Sequence, residues 1–158
     1  MTELNPRTDN MVLAVGNSMM GDDGAGPLLA ERIMRDPVAG WSVIDGGVIP
    51  ENAAHRLRLL KPKRLLVVDA SDMGLPPGAI RILDPERIAE DLLMNTHNLP
   101  LNFLIDSLQE DIPEVIFLGI QPALVAFYFP LSQEVERAVE RIYRRLADWQ
   151  GDGGFQRR

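Results

Sequence analysis

The chain has 158 residues, 46% apolar and 25% charged, with a net charge of −7 and no cysteine. It is long enough for one compact domain that buries roughly two-thirds of the surface of the unfolded chain. Disulfides, thiolate metal sites and cysteine nucleophiles are excluded, and the acidic balance argues against nucleic acid and for a basic partner. No apolar run approaches the roughly 20 residues that span a bilayer, so no membrane partner is expected.

The first ten residues, MTELNPRTDN, hold no basic cluster followed by an apolar core. No export signal is read, the cytoplasm is the expected location, and residues 1–10 are expected to be a flexible extension to a single domain over 11–150. Met11 to Val15 reads as a buried strand running into a glycine-rich turn, GNSMMGDDGAG, which delivers Asp22 and Asp23 just ahead of a helix. Pro27 lies in the first turn of that helix, which runs to about Arg35 with Leu28, Leu29 and Ile33 as its apolar face, and Pro37 ends it. Trp41 to Ile44 is a second strand, closed by Asp45-Gly46-Gly47, and a helix from about Pro50 to Leu60 follows. KRLLVVD, Lys63 to Asp69, has the uninterrupted apolar core of a central parallel strand covered on both faces. Leu75-Pro76-Pro77-Gly78 leads into Ala79 to Leu83 over a connection too short for a parallel crossover, so this strand is expected to be an antiparallel edge.

A short helix is expected over Pro85 to Met94. Asn98 is placed to cap a further helix, with Pro100 in its first turn and Leu101, Leu104, Ile105 and Leu108 at helical spacing, stopped by Pro113. Val115 to Ile120 is the last core strand and Phe127 to Phe129 a short extended piece. Ser132 begins a final helix with Val135, Val139, Ile142 and Leu146 as its buried stripe, and the tail from Gly151 to Arg158 is expected to be loose. Alternating strands and helices predict a three-layer α/β/α sandwich around a five-stranded, mostly parallel sheet of order 2-1-3-5-4, one strand antiparallel. That order brings the turn after the first strand beside the carboxyl end of the third, so Asp22 and Asp23 face Asp69 across one crevice.

Three chemistries compete for that crevice. A phosphate cradle fails: the glycines at 16, 21, 24 and 26 give neither G-x-G-x-x-G nor a P-loop, and two carboxylates repel phosphate. A serine nucleophile at Ser18 lacks the closing glycine of G-x-S-x-G, with only His55 and His97 available as base, and a turn hydroxyl bonding its own backbone is the simpler reading. The third is a divalent metal held by oxygen and nitrogen. Asp69 ends an apolar strand, where a carboxylate is costly unless wet, paired or ligating. Asp23 comes from the opposing turn, and His97, next to a helix N-terminus, is favoured as neutral imidazole with a lone pair to give. Two carboxylates and an imidazole suit nickel, zinc or manganese. The plainer alternatives are Asp22 or Asp23 as a helix cap, Asp45 and Asp69 as turn formers and His97 as an exposed loop residue.

GNSMMGDDGAGPLLAE, VIDGG, RLLVVDASDMG, NTHNLPLNFLID and EVIFLGIQP, in this order and spacing, resemble the maturation endopeptidases of nickel-iron hydrogenases. Within that family the resemblance is to the branch that processes the large subunit of hydrogenase 3, and it runs from about Met11 to Phe155. It implies a phosphorylase/hydrolase-like fold and removal of a short C-terminal peptide from the precursor large subunit once nickel is inserted. It also implies that Asp23, Asp69 and His97 are both the nickel-contacting and the catalytic residues, with Asp45, Gly46 and Gly47 as support or substrate contacts. The nickel is then carried by the substrate, with no tightly bound metal of the chain's own, and a monomer is the default. Water is activated by nickel or by an aspartate acting as base. A docking chaperone for the same precursor and a small-molecule hydrolase are the alternatives; an open groove would separate a peptidase from the latter, with Met19, Met20, Leu99 and Phe127 to Phe129 as candidates to line it and core packing as the plainer role for most of them.

Overall fold

A computed structural model describes residues 9–48, 50–84 and 99–158. Five strands, β1 (Asn10–Val15), β2 (Trp41–Gly47), β3 (Arg64–Ala70), β4 (Ile80–Leu83) and β5 (Glu114–Ile120), form one sheet in the order β2-β1-β3-β5-β4. β1 pairs in parallel with β2 and β3, and β3 with β5, while β4 runs antiparallel along β5. This is the expected topology, including the antiparallel edge.

Side chains alternate across the sheet and seed a core on each face. Met11, Leu13, Leu65, Val67 and Phe117 pack under α2 (Ala54–Leu60) and α3 (Leu99–Asp111). Val12, Leu66, Val68, Leu118 and Ile120 pack under α1 (Ala25–Arg35) and α4 (Gln133–Leu146). β3 is buried from Leu65 to Ala70, as its unbroken apolar run requires. α4 begins where expected, with the Ser132 hydroxyl accepting from the Val135 N–H. Its stripe of Val135, Val139, Ile142 and Leu146 is buried throughout.

Several expectations need correction. β2 continues through Asp45 to Gly47, where Val15 pairs with Gly47 and the Gly16 N–H donates to the Gly47 carbonyl at 2.8 Å. The helix expected over 50–60 is split into a 3-10 turn, Pro50–Ala53, and α2. Phe127 to Phe129 is a turn: Tyr128 has φ of +63°, which no strand tolerates. The tail is packed: Phe155 is buried against Trp149, and the Ile82 N–H and C=O bond the Gln156 carbonyl and the Arg158 N–H. Residues 156–158 thereby cover the outer edge of β4, which would otherwise present unpaired amides. The flexible extension, apart from its last two residues, the helix over Pro85 to Met94 and the Asn98 cap lie outside the described residues.

Candidate active site

β1 is followed by Gly16, whose φ of +140° only glycine adopts freely, and a Cβ there would stand 2.0 Å from the Asp23 carbonyl oxygen. At Gly26, in the first turn of α1, a Cβ would meet the Val15 and Val68 carbonyl oxygens at 2.2 and 2.9 Å. These two glycines let the turn fold back and α1 start directly on β1 and β3. A 3-10 turn, Gly21–Gly24, carries both acids in between.

The two aspartates separate here. Neither caps α1, whose N-cap is Gly24 with no side-chain bond. Asp22 turns inward and accepts from the N–H groups of Ala123 (2.7 Å), Leu124 (3.1 Å) and Ser132 (2.7 Å) and from the Ser132 hydroxyl (2.9 Å). Asp23 lines a cleft of about 810 Å³, where its Oδ2 accepts from the Asn17 N–H at 3.0 Å. The cleft lies beyond the carboxyl ends of β1, β3 and β5, where open α/β sheets bind ligands. Asn17, Met20 and Asp23 come from the first turn, Ala70 from the last position of β3 and Asp72 from just beyond it, and Gln121, Val125 and Phe127 from beyond β5.

Asp69 is the penultimate residue of β3, opposite Gly119 of β5, and is fully buried. Neither of its oxygens has a hydrogen-bond partner among the described residues. Burial, and then the charge of Asp23, hold its carboxyl well above the usual carboxylate range; the Ala70 amide draws the other way, but short of hydrogen-bond geometry. A buried acid with no donor costs free energy in either protonation state, so a carboxylate kept there against packing is a candidate for chemistry.

The sequence also missed a residue. Gln121 directly follows β5, and it is buried. Its Oε1 accepts from the N–H groups of Met73 (2.6 Å) and Leu75 (3.2 Å), and its Nε2 donates to Asp72 Oδ1 at 3.2 Å. This fastens the loop after Asp69 to the end of β5. A polar residue at the carboxyl end of a buried strand was the available signal, the one that singled out Asp69. Asp45 accepts from the Gly47 N–H at 3.0 Å and is exposed, as a turn former would be. It borders a smaller cavity that shares Val48 with the main cleft. His97 lies outside the described residues, and among the described residues no group of three His, Cys, Asp or Glu side chains could hold a metal ion.

Residues 27–149 match the HycI family of hydrogenase maturation proteases. The chain is 62% identical over 146 residues to the hydrogenase 3 maturation protease of Escherichia coli (strain K12), covering 92% of this chain and 94% of that relative. The chain belongs to the hydrogenase maturation protease family. A crystal structure of the hydrogenase 3 maturation protease superposes on this protease with a TM-score of 0.89 at 60% identity, over 95% and 96% of the two chains. The solution structure of the endopeptidase HycI from Escherichia coli gives 0.88 at 61% identity, over 94% and 95%. The protease is thus a hydrolase of peptide bonds with the sheet order read from its sequence, and no helix among its described residues is long and apolar enough to cross a membrane.

Proposed function

We propose that the protease removes a C-terminal peptide from the nickel-loaded precursor of the hydrogenase 3 large subunit, in the cytoplasm and as a monomer. Asp23, Asp69 and His97 engage the nickel the client carries, and Asp45, Gly46 and Gly47 contact the client beside the cleft. The unpartnered, buried carboxyl of Asp69 beside Asp23 carries this reading. An acid without donors is matched by a positive charge, and no lysine or arginine lines the neighbouring cleft among the described residues.

Burial and the charge of Asp23 favour the protonated form of Asp69, and a cation entering beside it favours the ionised form. The arriving client therefore shifts that balance at Asp69. Client nickel supplies positive charge beside the scissile carbonyl. Asp23, held in the cleft by the Asn17 N–H, takes the part of the base that accepts a proton from water. The deciding experiment mixes the protease with nickel-loaded and nickel-free precursor and follows the client's C-terminal mass. Cleavage of the loaded form alone is expected; equal cleavage of both, or of unrelated peptides, removes the metal from recognition.

A further inference from the structure

The loop between β5 and α4, residues 122–131, contains no charged side chain and holds five large apolar ones in the open. Leu124, Val125, Phe127, Tyr128 and Phe129 are between 45% and 83% exposed. Such a run loses free energy by staying in water, and a free loop would fold it away. This loop is held out instead. The Asp22 carboxylate takes three of the surrounding N–H groups and the Ser132 hydroxyl, and the Asp22 N–H donates to the Leu124 carbonyl at 2.9 Å. The Tyr128 N–H reaches the Met19 carbonyl at 2.8 Å. Tyr128 also keeps a left-handed backbone at φ +63°, a strain of order 1 kcal/mol that persists only where its surroundings enforce it.

We propose that residues 122–131 form a preformed docking wall for an apolar stretch of the client next to its scissile bond, with Val125 and Phe127 as contacts and Asp22 as the residue that positions the wall. The inference rests on the proposed function for what enters the cleft. Val125 and Phe127 line the same cleft as Asp23, so a peptide that reaches Asp23 passes against them. A second copy is the poorer occupant, because each carries a net charge of −7. Anchoring the wall before the client arrives removes an ordering cost from binding, which is what the buried Asp22 contributes.

The test is steady-state cleavage of nickel-loaded precursor by the parent protease, Phe127→Ser, Asp22→Asn and, as control, Met34→Ser, an exposed apolar residue near the far end of α1. Phe127→Ser should raise KM about tenfold with kcat changed less than about twofold and thermal stability unaltered. Asp22→Asn should move KM the same way, and Met34→Ser should move nothing; if Asp22→Asn does not fold, Phe127→Ser decides alone. A parent-like KM for Phe127→Ser overturns the inference while the parent's cleavage leaves the proposed function standing, whereas a parent that cuts no precursor overturns that function. A parent dimer by light scattering that Phe127→Ser converts to monomer overturns the inference in favour of self-association.

Discussion

The turn after β1 and the end of β3 each bury an aspartate, and their surroundings treat the two in opposite ways. Asp22, 1% exposed, is met by four donors; Asp69, 0% exposed, is met by none among the described residues. Burial alone therefore does not distinguish a structural acid from a functional one. What distinguishes them is whether the fold has supplied donors. Asp22 has been absorbed into the architecture, tying the glycine-rich turn to the N-cap of α4 across about a hundred residues of sequence. Asp69 has been given no donor by the described residues, which is the feature the proposed function rests on.

The comparison predicts opposite outcomes for the two acids. The largest effect is on catalysis: Asp69→Asn should slow precursor cleavage by about a thousandfold, of the order lost with an acid–base group, while the fold survives. Cleavage within about tenfold of the parent would remove Asp69 from the site. Next is Asp22→Ala, which leaves the Ala123, Leu124 and Ser132 N–H groups without their acceptor and should cost about 3 kcal/mol in urea unfolding. A loss under about 1 kcal/mol would mean that water replaces the carboxylate and that the anchor is weaker than its geometry. Smaller again, Ser132→Ala removes the α4 cap and one Asp22 donor, and should cost about 1 kcal/mol in the same assay.

The sheet was legible because its signals are local: the unbroken apolar run of β3, the short Pro-Pro-Gly link before β4 and the alternation of strand and helix each fix one pairing. That Asp23 and Asp69 face one another followed from topology, since order 2-1-3-5-4 brings the ends of β1 and β3 together. The role of Asp22 was not legible, because its donors lie 101 to 110 residues away and nothing in GDDG says which acid turns inward. Nor was the β4 cover by residues 156–158, where a glycine-rich approach hides a pairing made through backbone groups at Ile82. The aromatic triplet at Phe127 to Phe129 looked like a strand by composition, and the anchoring of its loop overrode that propensity.

The smallest effect tests the comparison most sharply, because it concerns Asp69 without reference to any client. Its carboxyl is held above the ordinary value by burial and by Asp23, so the native chain keeps a proton that the unfolded chain releases near pH 4. Above that pH the native state binds more protons than the unfolded one, and stability falls as pH rises. The contribution is complete below about pH 4 and is lost progressively as pH climbs through the raised native value. Asn at the same position cannot ionise. The difference in unfolding temperature between Asp69→Asn and the parent should therefore grow in favour of the variant from pH 4 towards neutrality, on top of any constant offset from exchanging hydroxyl for amide. A difference independent of pH would mean that Asp69 ionises in the folded chain at no cost, hence that it has a partner, and the contrast with Asp22 would collapse. A growing difference, set beside lost cleavage in the same variant, would show stability given up at the residue the reaction needs.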